Sequence, residues 1–241
     1  MGRHFEVRAA AMAKTSAANA KLYSRHSKEI YMAAKAGEPD PSMNQALKKT
    51  IEKAKANNVP ASVIERAIEK AKGGSTENYS ASTYEGFGAG AATIIIECLT
   101  DNQNRTIADL RTAFNKSKAK LGVSGSVSFN YQHVGNIIIP FADEEAMLDA
   151  LIMADVDVKE VEIDGDYMQV LVEPSDLYKA KDAIDELVPG VEYNKLDLDM
   201  IPNEYCTLEG DDLMLFNRLL TLLDDVDDVQ NVYHNVENAG N

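Results

Sequence analysis

Apolar residues recur at helical spacing through the first 72 positions, and strand-like alternation begins only beyond them. Ala9 to Ala36 contains no Gly or Pro and is rich in Ala, Lys and Met, which predicts helix. Thr15, Ser16 and Asn19 mark a place where that helix would divide in two, and Gly37, with Pro39 and Pro41 beyond it, ends the second part. Met43, Ala46, Leu47, Thr50, Ile51 and Ala54 then define one buried helical face. Lys48, Lys49, Lys53 and Lys55 fall off that face and are expected to point to solvent or a partner. A third helix starts near Pro60, with Ser62 and Glu65 at capping-box spacing and an apolar face of Val63, Ile64, Ala67, Ile68 and Ala71.

Gly73 to Ser82 reads as a polar linker. Ala92–Leu99 is a predicted strand, Ile107–Lys118 a helix and Ser126–Tyr131 a strand. The next stretch has its own rhythm: strand Asn136–Pro140, helix Asp143–Ala154, strands Val158–Ile163 and Tyr167–Val172, helix Ser175–Leu187, strand Val191–Leu196. That order, βαββαβ, is the ferredoxin-like pattern. Helix Leu213–Leu223 and strand Val229–His234 remain without a sheet, and an orphan strand must pair with something. Its expected place is the sheet begun by Ala92–Leu99 and Ser126–Tyr131. The predicted fold class is therefore α+β with three domains: a helical domain over 1–74, a discontinuous α/β domain over 75–133 and 202–241, and a ferredoxin-like domain inserted over 134–201.

Charge changes this picture. The 241-residue chain carries a formal net charge of −15, yet Met1–Lys72 holds 14 Lys/Arg against 7 Asp/Glu, so it is +7 and the remainder is −22. A basic block in an acidic protein points to a polyanionic partner, because phosphate backbones attract it through counterion release. The candidate contacts are Arg3, Arg8, Lys14, Lys21, Arg25, Lys28, Lys48, Lys49, Lys53 and Lys55. No stripe of Asn, Gln and Arg marks a base-reading helix, so strong sequence specificity is not expected. The acidic remainder offers a different reading, an adaptor that meets basic proteins through its α/β domains.

Other chemistry is sparse. Cys98 and Cys206 are the two cysteines, and their separation gives neither a disulfide framework nor a metal-binding spacing, which fits a reducing cytoplasm. The apolar run Ala89–Ile96 stops at Glu97, too short to cross a bilayer. Glu6 and the continuation into helix argue against a transit peptide. His4, His26, His133 and His234 have no zinc-ligand spacing, no hydrolase or protease signature occurs, and neither a catalytic residue, a metal nor a cofactor is expected. Tyr84–Gly90 lacks the third glycine of a dinucleotide loop and precedes a strand, so it reads as a turn. Asp101–Thr106 could hold an anion at a helix N-terminus, but capping accounts for it better. Asp224, Asp225, Asp227 and Asp228 lack the glycine and distal glutamate of a calcium loop and read as a solvated turn.

Several segments together carry a resemblance. Gly37-Glu38-Pro39-Asp40-Pro41, Asn57-Asn58-Val59-Pro60 leading into Ile64-Glu65-Arg66-Ala67-Ile68, Tyr84–Gly90, Glu97–Asn102 through Asn104-Arg105-Thr106, Gly125-Ser126-Val127 and Asp227–Asn235 occur in this order. The chain resembles the YebC family, which includes the mitochondrial translational activator of cytochrome c oxidase. The resemblance implies three domains, the middle one discontinuous, together with nucleic-acid binding, on duplex DNA or on ribosomal RNA, and control of gene expression without a cofactor. Gly2-Arg3-His4-Phe5-Glu6 departs from the family's Gly-His-Ser-Lys-Trp opening, and Ala89 replaces a usual Pro, which is similar to the YeeN-like subgroup.

Overall fold

The structure, a computed structural model, describes residues 16–73 and 78–240, with side chains from residue 20 onward. Three helices come first: α1 (Ser16–Ala36), α2 (Gln45–Ala56) and α3 (Ala61–Lys72). Asn19 does not interrupt α1, and the expected division near Thr15 falls at the edge of the described residues. Ile30, Ala34, Leu47, Ile51, Ala54, Val59, Ile64 and Ala67 form the core, so the periodicity of α2 and α3 marks buried faces, except that Met43, which precedes α2, and Ala46 are exposed. Asn44 joins α1 to α2. Its Oδ1 accepts from the N–H of Leu47 as the N-cap of α2, while its Nδ2 donates to the carbonyls of Ala33 and Glu38. The capping box at Ser62 and Glu65 does not form; Pro60 is the N-cap of α3 and makes no side-chain cap bond.

Two four-stranded sheets follow. The first takes β1 (Ser80–Phe87), β2 (Thr93–Thr100), β3 (Lys120–Leu121) and β8 (Val229–His234) in the order β3-β1-β2-β8, all antiparallel. Helices α4 (Gln103–Lys116) and α7 (Gly210–Asp224) cover one side of it, with Ile94, Ile96, Cys98, Leu110, Phe114, Leu219 and Leu223 between them. The orphan strand thus joins this sheet, and its neighbour there is β2. The second sheet contains β4 (Tyr131–Ile139), β5 (Val158–Asp164), β6 (Tyr167–Val172) and β7 (Lys195–Pro202) in the order β5-β6-β4-β7. Helices α5 (Glu144–Met153) and α6 (Leu177–Leu187) complete the βαββαβ unit around Ile137, Met147, Leu151, Val170, Ala180 and Ile184.

The chain divides into two compact units, one of Met1–Ser75 with His133–Asp199 and one of Thr76–Gln132 with Met200–Asn241. The helical segment therefore shares a unit with the ferredoxin-like insertion. Three further expectations differ from the structure. Ser80–Phe87 is a strand where the sequence predicts a linker and a turn, because Gly86 lets β1 pass against the Phe114 ring: a Cβ there would lie 2.4 Å from Phe114 Cε1. Ser126–Tyr131 is not a sheet strand; Ser128–Asn130 is one 3-10 turn. The last strand of the insertion lies at Lys195–Pro202 rather than Val191–Leu196, with Leu196 and Asp199 buried.

Candidate nucleic-acid interface

The basic residues of α2 separate onto two faces. Lys48 and Lys55, seven residues and two turns apart, are exposed, and neither meets a carboxylate among the described residues. Lys49 and Lys53 project from another side, toward the insertion. Lys53 Nζ lies 2.9 Å from Asp197 Oδ1 and 3.3 Å from Glu29 Oε1. Lys49 Nζ sits 4.8 Å from the centre of the Tyr178 ring, and the Tyr178 hydroxyl donates to the Lys49 carbonyl. The expectation that all four lysines point to solvent or a partner is corrected for Lys53, whose charge is held between two carboxylates of its own chain.

This contact is electrostatically uneven. Burial works against the Lys53 ammonium, but Asp197 and Glu29 together push its pKa up. Burial raises the Glu29 carboxyl, and the contacts with His26 and Lys53 outweigh it and hold the group below its ordinary range. For Asp197 burial wins and its pKa is raised, since one ammonium does not neutralise two half-buried carboxylates in full. Burial also pushes the Tyr178 phenol up to about 12.

On α1, Lys21, Arg25 and Lys28 are half-buried, and each takes part in interactions of its own. Arg3, Arg8 and Lys14 lie outside the described residues. Lys35 donates to the Tyr31 hydroxyl, and Lys70 lies 5.7 Å from the centre of the same ring. Arg66 on α3 is exposed; the periodicity of α3 places it off the apolar face, and it is not among the expected contacts.

The other conspicuous motifs have structural occupants. Glu85 is a buried carboxylate. Its Oε1 accepts from the N–H of Gly125 at 2.7 Å, and its Oε2 from Val127 at 2.7 Å and Ser128 at 3.0 Å. Burial raises its pKa, but the three N–H groups hold it below the usual range. These bonds are also why Ser126–Tyr131 does not join the sheet: its N–H groups are already taken. At the N-terminus of α4, Asn102 Oδ1 caps the N–H of Arg105. The anion beside that helix end is the protein's own Asp228, which accepts from Thr100, Thr106 and Arg105. Burial raises the Asp228 carboxyl, and those donors lower it further than burial raises it. Asp228 therefore leaves the solvated acidic turn that Asp224, Asp225 and Asp227 keep on the surface.

A cluster of cations in the acidic part of the chain has no such partners. Lys116, Lys118 and Lys120 are exposed, and none meets a carboxylate among the described residues. Three lysines at alternate positions are visible in the sequence, but a net charge summed over the whole region conceals them. Among the described residues no group of three or more His, Cys, Asp or Glu side chains could hold a metal ion, and no helix is long and apolar enough to cross a membrane.

A helical segment joined to two α/β folds, of which one is inserted in the other, defines a three-domain α+β protein. The chain belongs to the TACO1/YebC family: residues 3–74 match its N-terminal domain and residues 79–236 its second and third domains. It is 46% identical over 237 residues to a "probable transcriptional regulatory protein" of Alcanivorax borkumensis, covering 98% of this chain and 99% of that one. A protein of the same name from Saccharophagus degradans is also 46% identical over 237 residues, with 98% and 100% covered. A crystal structure of a conserved hypothetical protein from Aquifex aeolicus matches with a TM-score of 0.77 and 32% identity over 92% of both chains.

Proposed function

We propose that this chain is a non-enzymatic, cytoplasmic, nucleic-acid-binding regulator of gene expression whose helical segment contacts phosphate backbones. The observation that carries the reading is the exposed face of α2, where Lys48 and Lys55 stand without carboxylate partners among the described residues, in a segment of charge +7 within a chain of −15. The names of the relatives support a regulatory role. Lys21, Arg25 and Lys28 of α1, with Arg3, Arg8 and Lys14 before it, extend the same basic segment. Lys49 is a weaker contact because its ammonium stacks on Tyr178, and Lys53 serves the insertion instead. Phosphate attraction acts alike on duplex DNA and on structured ribosomal RNA. Ribosome co-sedimentation, run beside a shift assay on duplex DNA, separates the two. Tight and sequence-selective duplex binding without ribosome association assigns transcription; salt-sensitive co-sedimentation with weak duplex binding assigns translation. If neither occurs, and the acidic domains instead capture basic proteins, the reading is wrong.

A further inference from the structure

We propose that the unit formed by residues 76–132 and 200–240 carries a second nucleic-acid site, one for single strands, built from Lys116, Lys118 and Lys120 together with Phe87, Val123 and Phe129. The cations are the first observation. Beyond Lys72 the chain is strongly acidic, and Arg105, Lys159, Lys179, Lys181 and Lys195 each meet a carboxylate. Among the described residues Lys116, Lys118 and Lys120 do not, and neither do Arg111 and Arg218, but the three lysines alone lie within five consecutive positions, all exposed.

The backbone at Lys118 is the second. Three helices end in the same way. The residue after the C-cap is left-handed, at φ 57° for Asn58, 52° for Lys118 and 54° for Asp155. Each of these residues and its successor donates back to the last turn: Lys118 to Asn115 and Ala119 to Phe114 in α4, with equivalent pairs after α2 and α5. Asn and Asp are the non-glycine residues that tolerate this conformation, through local hydrogen bonding of a short side chain. Lysine has no such help, so its presence there costs stability.

Apolar groups beside these cations are the third. Phe87 pairs with Lys120 across β1 and β3, so both side chains stand on one face of the sheet, opposite the face that Gly86 and Leu121 share. The Phe87 ring lies over Gly122, where a Cβ would be 3.3 Å from it. The loop that continues from Gly122 is tied to Glu85 through Gly125, Val127 and Ser128. It carries Val123 at 76% and Phe129 at 71% exposure. Phe87 beside Lys120, with Phe129 on the loop tied to Glu85 two residues before Phe87, suits unstacked bases, which a duplex does not present; an acidic peptide would use the cations and leave the rings idle.

The test measures binding of the full-length protein to a short fluorescent oligouridylate by anisotropy across a salt series. The triple variant Lys116→Gln, Lys118→Gln, Lys120→Gln should flatten the log K against log salt slope by roughly 2 units, about 0.7 for each lost contact to a single strand. Phe129→Ala should weaken binding by roughly tenfold, and Phe129→Tyr, which keeps the ring, should restore it. Lys48→Gln with Lys55→Gln serves as the control on the helical segment and should leave the effect of Phe129→Ala unchanged. Unaltered unfolding curves verify that the variants are folded. The proposal is overturned if the wild-type protein does not bind the oligonucleotide, or if the triple variant and Phe129→Ala bind it as the wild type does. It is equally overturned if poly-glutamate competes as well as the oligonucleotide and Phe129→Ala changes neither, which would assign the patch to an acidic protein.

Discussion

Replacing Glu85 by glutamine tests whether one buried carboxylate holds the loop after β3. Glu85 is 5% exposed, and its two oxygens accept three backbone N–H groups. Hydrogen bonds to an ionised group contribute about 1.5–3 kcal/mol each, against about 1 for neutral pairs. Glutamine keeps one acceptor oxygen. If that oxygen stays with Val127 and Ser128, the amide NH2 faces the N–H of Gly125, donor against donor. The expected loss is about 2 kcal/mol, because Gly125 is exposed and water replaces part of what it loses. Tryptophan is absent, so urea unfolding is followed by far-UV circular dichroism. Two compact units can give two transitions, and only the one containing β1 should shift.

The pH dependence supplies a second readout with a defined sign. The folded pKa of Glu85 lies below its ordinary value of 4.5, so its stabilisation is fully present above that value and is lost as pH falls through the folded pKa. The substituted glutamine does not titrate. The gap between wild type and Glu85→Gln should therefore stay constant from neutral pH down to about 5 and close in stronger acid. A gap below about 0.5 kcal/mol at neutral pH, the size of an ordinary surface change, or one that persists in acid, would refute the role assigned to this carboxylate.

Lys48→Gln with Lys55→Gln should leave thermal stability within about 0.5 kcal/mol per site and flatten the salt dependence of duplex binding by roughly 1.5–2 units. Lys53→Met should destabilise by about 1–3 kcal/mol, less than for a fully buried pair, because Glu29 and Asp197 then face each other without a cation. Its thermal midpoint should recover as pH falls through the carboxylate range, since protonation removes that repulsion, and a flat profile counts against the contact. Gly86→Ala places a Cβ 2.4 Å from Phe114 Cε1 and 2.9 Å from the Lys120 carbonyl, and should cost about 1–3 kcal/mol in thermal unfolding.

The insertion and the last strand of the first sheet were legible because the period of the apolar positions changes along the chain. Tyr167–Val172 and Val229–His234 lie where alternation places them, and a strand with no local partner had one place to go. What stayed hidden depends on residues distant in sequence. Ser126–Tyr131 alternates like a strand, but Glu85, some forty positions earlier, binds its N–H groups. Ser80–Phe87 is polar and carries a glycine, and only the Phe114 ring behind Gly86 explains why a glycine belongs in that strand. Periodicity identified the buried face of α2 but says nothing about a second covered face. Lys49 and Lys53 therefore read as exposed until Tyr178 and Asp197 are in place. The same limit applies to the candidate interface: composition located the basic segment, and only the contacts separate Lys48 and Lys55 from Lys53.

Lys118 offers a direct test of whether charge or packing accounts for the cations after α4. Its left-handed backbone at φ 52° is the conformation in which glycine meets no steric penalty, and the capping bonds around it are all made by the backbone. Lys118→Gly keeps those bonds and relieves the contact of Cβ with its own carbonyl. Part of the gain is offset by the greater freedom glycine gives the unfolded chain. The net expectation is a stabilisation of about 0.5–1 kcal/mol in urea unfolding. If the lysine is kept for its charge, the more stable protein should bind oligouridylate less well, with a salt slope reduced by about 0.7. Lys118→Arg separates the two effects: the strain remains and the charge is retained, so binding should persist without a gain in stability. A Lys118→Gly protein that is more stable and binds as before would show that the position merely tolerates lysine. One that loses stability would show that the side chain packs, and the reading of the helix end as a strained site would fall with it.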